Sequence, residues 1–246
     1  VEDVMSNIVG VFDSGIGGLS VLRELEKILP NEDFYYYGDS LNNPYGEKSD
    51  EELFSITSGV VDYLVNKECR VIVIACNTAT TRCMKYLREK YKDIIFVGTV
   101  PAIKVACDRD FKNTLVMATP ATIESERTME LIRDNIRKDQ NIYLVACPGL
   151  ANAIEDNDQE KIKEILKDTF REYKDKKIDS IVLGCTHYPF IKEDILKEMP
   201  GVILLDGSRG VAMEVKRQLE NNGLLSDKSS RIIVIYNSLT KEEVTR

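Results

Sequence analysis

The chain contains a single histidine, His187, and it stands two positions after a cysteine in the run VLGCTHYP, residues 182–189. An imidazole that close to a thiol can take its proton or hold its charge, the pairing on which cysteine nucleophiles and bases depend. A similar setting occurs 109 positions earlier in VIACNTAT, residues 73–80, where an apolar run and a small residue lead to Cys76 and then to small hydroxyl and amide side chains. An unperturbed thiol titrates at about 8.5, and a position at a helix N-terminus lowers that value. Cys76 and Cys185 are both predicted where a strand gives way to a helix.

Two thiols suit one reaction class in particular. Inverting a stereocentre by proton transfer needs a base on one face of the carbon and an acid on the other, and groups of the same kind serve both directions. A hydrolytic cysteine enzyme needs only one thiol, so the second favours racemisation over acyl transfer. Cys69, Cys83, Cys107 and Cys147 read instead as core residues, since buried cysteine is common in protein interiors. For His187 the plainer alternative is a buried ring satisfied by a backbone carbonyl.

Two further loops could hold a ligand. In FDSGIGGLSVL, Asp13 and Ser14 follow a strand, and Gly15, Gly17 and Gly18 allow a tight turn before a helix. The glycines fit a small anion bound by backbone N–H groups, and they fit equally a turn that is glycine-rich for steric reasons. They do not make a dinucleotide fingerprint: GIGGLS puts Ser20 in the last position, and no acidic residue closes the second strand in the required way. The second loop, GDSLNNPYG at 38–46, has the Asn, Pro and Gly content of a structured turn at the carboxyl edge of a sheet, where function commonly resides.

These loops are punctuation in a regular alternation. Strands are predicted at 8–12, 34–38, 71–75, 94–98, 114–118, 142–146, 180–184, 202–206 and 231–236, separated by amphipathic helical stretches, the pattern of βαβ units and a parallel sheet. Helix starts are legible at SDEE from Ser49, a capping box, and at Thr119–Pro120, an N-cap followed by proline. The echo between RVIVIACNTAT and DSIVLGCTHYP spans about one small domain. It predicts an α/β fold of two similar domains, each a mainly parallel sheet flanked by helices. Residues 1–98 with 208–246 would form the first, carrying Asp13 and Cys76. Residues 99–207 would form the second, carrying Cys185 and His187. Ligands of open α/β sheets sit at the carboxyl ends of strands, so an active site in a cleft between the two is expected.

Composition narrows the class. With 33 basic and 41 acidic residues the net charge is −8, and no basic patch interleaved with aromatics is present, so nucleic acid is not an expected partner. The apolar runs are a few residues long, against roughly 20 needed to span a bilayer. The N-terminal VEDVMSNIVGVF lacks the layout of a signal peptide, and a cytoplasmic protein with reduced thiols and no membrane contact is expected. Cys76, Cys83 and a distant His187 make a poor metal set, and no metal is expected.

In order and in spacing, GVFDSGIGGLSVL, GDSLNNPYG, ACNTAT and LGCTHYP resemble the signature motifs of the glutamate racemases, within the cofactor-independent aspartate/glutamate racemase superfamily, over residues 8–222. The resemblance implies interconversion of L- and D-glutamate without pyridoxal phosphate, metal or other cofactor. It also implies a homodimer, and a supply of D-glutamate for peptidoglycan, hence a part in cell-wall biogenesis and cell shape. Carried over residue by residue, Cys76 would be the base for D-glutamate, assisted by Asp13, and Cys185 the base for L-glutamate, assisted by His187. Glu155, in CPGLANAIE, falls at the position of the family's acidic helper. Substrate contacts would come from Asp13, Ser14, Tyr45, Gly46, Asn77, Thr78, Thr119, Thr122, Thr186 and His187. The chain departs from the pattern at Asn42, where many members carry arginine, and in LANAIE, where they carry FVPLVE. It also ends soon after RIIVIYNSLTKEEVTR, earlier than the resemblance implies. The N-terminal extension through which some members act on DNA gyrase has no counterpart here, and no inhibition of supercoiling is expected. Three other readings stand beside this one. A sister racemase for aspartate or another acidic amino acid is separated by assaying each amino acid in turn. A decarboxylase of the same superfamily tends to keep one catalytic cysteine, where this chain has both. A ligand-binding or thiol-redox protein would show no exchange of the α-proton.

Overall fold

In the first strand, β1 (Ile8–Asp13), Val9 and Val11 bury against one layer of helices and Phe12 against the other, so the period-two pattern carries apolar residues on both faces. That is the signature of a parallel sheet covered on both sides. The computed structural model describes residues 8–246. They fall into two units, one running to Thr99 and resuming over Ser208–Arg246, the other Val100–Gly207.

The first unit continues through α1 (Leu19–Ile28), β2 (Asp33–Gly38), α2 (Asp50–Asn66), β3 (Cys69–Ile74), α3 (Asn77–Lys90) and β4 (Ile95–Gly98). The second holds α4 (Ile103–Asp108), β5 (Asn113–Ala118), α5 (Pro120–Ile123), α6 (Glu126–Asn135), β6 (Asn141–Ala146), α7 (Leu150–Glu155), α8 (Gln159–Phe170), β7 (Ser180–Leu183), α9 (Lys192–Glu198) and β8 (Ile203–Asp206). The chain then returns to the first unit with α10 (Ser208–Asn221), β9 (Ile233–Asn237) and β10 (Glu243–Thr245).

The first sheet has the order β10-β9-β2-β1-β3-β4, parallel except for β10 against β9. One face packs Val9, Val11, Val71 and Val73 on α1 and α10, and the other packs Phe12, Ile72 and Ile74 on α2 and α3. Each such side chain is at most 2% exposed, and burial contributes roughly 1.5–3 kcal/mol apiece. Moving the register by one residue would exchange the two faces and lose the fit. The second sheet has the order β6-β5-β7-β8, all parallel. Leu115, Met117, Ile181 and Leu183 face α7, α8 and α9, while Val116, Val182 and Leu205 lie in the core shared with α4 and α6.

Nine strands follow the alternation read from the sequence. The tenth does not: TKEEVTR has no apolar alternation, and β10 exists because Glu243–Thr245 pair antiparallel with Val234–Tyr236. Both predicted helix starts are present. Ser49 accepts from the Glu52 N–H while the Glu52 carboxylate takes the Ser49 N–H, and Thr119 caps α5 with Pro120 in its first turn. No disulfide joins any of the six cysteines, all of which are buried. Among the described residues no helix is long and apolar enough to cross a membrane.

Candidate active site

The two sheets share one frame. Phe12 of β1 lies opposite Tyr37 and Ile74, and Met117 of β5 lies opposite Val145 and Leu183. Setting Phe12 on Met117 places Ser14 on Thr119, Asp39 on Cys147 and Cys76 on Cys185. In each unit the chain leaves the first strand towards one side of the sheet and the third strand towards the other. Such switch points are where open α/β sheets bind ligands, beyond the carboxyl ends of the strands. Each unit therefore carries one predicted thiol at its own switch point.

In the first unit Cys76 is the N-cap of α3, and its sulfur accepts from the Ala79 N–H at 3.5 Å. A helix N-terminus with an N–H aimed at sulfur favours negative charge there. Ser14 Oγ lies 3.9 Å from Cys76 Sγ, so the loop after β1 and the loop after β3 meet. Asp13 is fully buried and its Oδ2 accepts from the Gly15 N–H at 3.2 Å. At Gly18 the reason is steric: a Cβ there would stand 2.7 Å from the Asp13 Cβ and 2.9 Å from the Tyr36 hydroxyl. The first N–H groups of α1, from Leu19 to Leu22, are already taken by carbonyls of Ile16, Gly17 and Gly18. Asn77 and Thr78, in the first turn of α3, are 6% and 4% exposed, and Asn77 Oδ1 is buried with no hydrogen-bond partner among the described residues. Such an acceptor is costly unless something donates to it. Tyr45 and Gly46 lie in a 3-10 turn, Tyr45 buried and Gly46 exposed.

In the second unit Cys185 precedes a 3-10 turn, Tyr188–Ile191, rather than an α-helix. His187 Nδ1 lies 3.8 Å from Cys185 Sγ, and His187 Nε2 lies 2.6 Å from Glu155 Oε2 at the end of α7. His187 is 2% exposed, and its Nε2 has the Glu155 carboxylate as a partner. With Nε2–H on the carboxylate, Nδ1 presents a lone pair to the thiol. The arrangement can receive a proton from sulfur and balance the resulting imidazolium. Thr119 Oγ1 takes the Thr122 N–H at 3.4 Å and donates to Thr122 Oγ1 at 3.1 Å, and Thr186 sits buried between Cys185 and His187 in sequence.

The structure thus joins Ser14 with Cys76, and Cys185 with His187 and Glu155. Three other groups at these loops were not singled out from the sequence. Asp39 is fully buried and receives the Tyr45 hydroxyl at 2.7 Å, and the only signal for it was its place in the Asn- and Pro-rich loop. Cys147, Asp39's counterpart, and Tyr188 are buried in the same cluster as Cys185. Burial pushes the Cys147 thiol up to about 12, so it stays protonated. Burial also raises Cys69 to about 12 and Cys83 to about 11, as expected of core thiols.

Comparison with known proteins gives these loops a context. Residues 9–214 match the family model described as Asp/Glu/Hydantoin racemase. A glutamate racemase of Clostridium perfringens is 42% identical over 249 residues, covering 99% of this chain and 95% of that one. The crystal structure of Escherichia coli glutamate racemase in complex with L-glutamate and the activator UDP-MurNAc-Ala superposes with a TM-score of 0.82 at 33% identity, covering 94% of this chain and 88% of that one. The glutamate racemase of Francisella tularensis in complex with D-glutamate gives a TM-score of 0.80 at 31% identity, with 96% and 89% covered.

Proposed function

The chain belongs to the Asp/Glu/hydantoin racemase family, and from that premise we propose that it is a glutamate racemase using two cysteines as acid and base. The observation that carries the mechanism is the equivalence of Cys76 and Cys185, each two residues beyond the paired end of the third strand in four-strand runs of the same order, β2-β1-β3-β4 and β6-β5-β7-β8. A reaction whose substrate and product are mirror images calls for two groups of one kind.

In the L-to-D direction the Cys185 thiolate removes the α-proton, and the Cys76 thiol delivers its own proton to the opposite face of the carbon. Cys185 is left protonated and Cys76 as thiolate, so the return of both to the starting state needs only proton exchange, and no electrons move. His187 Nδ1 holds or relays the Cys185 proton, and Glu155 balances the charge on the ring. Asp13 and Ser14 serve Cys76 in the corresponding place. The α-carbanion can delocalise only into its own, already anionic carboxylate, so fixed donors must stabilise it. Asn77, Thr78, Thr119, Thr122 and Thr186 are the proposed donors and acceptors for the substrate carboxylates and ammonium, with Tyr45 and Gly46 closing the first unit's share. The unpartnered Asn77 Oδ1 supports this, since a ligand ammonium would satisfy it. The proposal includes a cytoplasmic homodimer supplying D-glutamate to peptidoglycan, homodimers being the commonest closed assembly.

The test is incubation of purified, reduced protein with L-glutamate, and separately L-aspartate, in D₂O, following optical rotation and α-deuterium by NMR. Loss of rotation with α-deuterated D-glutamate is expected, and little change with aspartate. Cys76→Ser and Cys185→Ser should each abolish racemisation in both directions. Full activity in either variant would refute the two-base mechanism.

A further inference from the structure

Ser238 lies beyond the residues matched by the family model, in the turn between β9 and β10, yet it is buried to 6% exposure against the loop that carries Tyr45 and Gly46. Its hydroxyl donates to Asp39 Oδ1 at 2.8 Å and accepts from the Leu41 N–H at 3.0 Å. Its own N–H donates to the Gly38 carbonyl at 3.0 Å, and the neighbouring Asn237 Nδ2 donates to Ser40 Oγ at 3.1 Å. Four successive loop residues, Gly38 to Leu41, are therefore held from two residues of the C-terminal hairpin.

Asp39 passes this restraint on. Its carboxylate accepts from Ser238, from Asn42 Nδ2 at 3.1 and 3.0 Å, and from the Tyr45 hydroxyl at 2.7 Å, while its N–H donates to the Asp13 carbonyl at 2.9 Å. A phenol has one proton, and Tyr45 gives it to Asp39, so towards any other group Tyr45 is an acceptor only. Burial and the adjacent Asp39 hold the Tyr45 hydroxyl well above its ordinary pKa, which keeps that proton in place. The second unit lacks the device: β6, the counterpart of β2, is an edge strand, and Cys147 stands where Asp39 does.

We propose that Ser238 and Asp39 are positioning residues of the substrate subsite, through which the hairpin β9–β10 sets the 38–46 loop and so the affinity for substrate. The inference rests on the glutamate racemase reading for its kinetic readout. Neither residue touches the reacting atoms. Loosening the loop should weaken binding in the ground state and the transition state alike, which raises KM and spares kcat.

The experiment compares wild type, Ser238→Ala and Ser238→Thr. In Ser238→Ala the expected result is a KM for both glutamate enantiomers raised ~10-fold, the effect of one hydrogen bond to a charged group, with kcat within about twofold. Ser238→Thr, which keeps the hydroxyl, should restore KM. Hydrogen exchange supplies a readout independent of turnover: the Leu41 amide should be protected in wild type and in Ser238→Thr and lose protection in Ser238→Ala. An unchanged KM, a fall in kcat at constant KM, or no rescue by threonine would overturn the proposal. If wild type itself fails to racemise glutamate, the functional reading falls, and the Leu41 amide still decides the clamp. Equal protection in all three proteins would then refute it.

Discussion

Glu155→Gln isolates the charge behind His187 while keeping the shape of the side chain. The glutamine carbonyl can still accept the Nε2–H now 2.6 Å from Glu155 Oε2, so the ring stays oriented, but the negative charge that balances an imidazolium is gone. A hydrogen bond to a charged group is worth roughly 1.5–3 kcal/mol, against about 0.5–1.5 for a neutral pair. The difference, about 1–1.5 kcal/mol, corresponds to ~5- to 10-fold in rate. Because His187 is 2% exposed and the Glu155 side chain 14%, water replaces little of the lost interaction, and the upper end is expected. Mirror-image substrate and product have an equilibrium constant of one, so kcat/KM must fall equally in both directions and cannot by itself locate the lesion. Isotope effects can. With α-deuterated substrates, the primary effect on kcat/KM should grow in the L-to-D direction, where Cys185 breaks the C–D bond. It should shrink in the D-to-L direction, where reprotonation from Cys185 becomes limiting. A loss below twofold, or an isotope effect that grows in the D-to-L direction instead, would refute the assignment of the His187–Glu155 pair to Cys185.

Two further predictions concern other groups. Burial is the main cause that holds the Glu32 carboxyl above its ordinary pKa, with Asp33 adding to it and the Ser226 N–H and Lys228 opposing. Its folded form therefore binds a proton more tightly than the unfolded chain, so its contribution to stability is full below the unfolded value near 4.5 and is lost as pH rises through the raised folded value. Glu32→Gln should remove that loss, gaining stability relative to wild type at pH 8 compared with pH 4.5, and urea titrations with an identical pH slope in both proteins would contradict it. Iodoacetamide at pH 8 should modify Cys76 and Cys185 in the native protein before Cys69, Cys83 and Cys147, whose thiols burial holds at about 12, 11 and 12. Peptide mapping that finds Cys147 labelled as fast as Cys185 would show that the core thiol is accessible after all.

What the residues alone determined was local or periodic. Nine strands were legible because both faces of each sheet are covered, which forces near-continuous apolar runs, and the starts at Ser49 and Thr119 because a cap involves residues three apart. The Cys185–His187 pair was legible for the same reason, its members two positions apart. The chain could not announce β10, whose polar residues become a strand only by pairing with β9, nor that α1 uses its own N–H groups within the glycine turn. Glu155 came from resemblance, since 32 positions separate it from His187 and only the packing of α7 beside the turn after β7 brings them to 2.6 Å. Asp39 and Ser238 are 199 positions apart and carry no shared pattern. Their contact exists because β9 pairs with β2, a consequence of sheet order. Strand order is decided by which faces pack and which crossovers close, and that is a property of the folded chain as a whole.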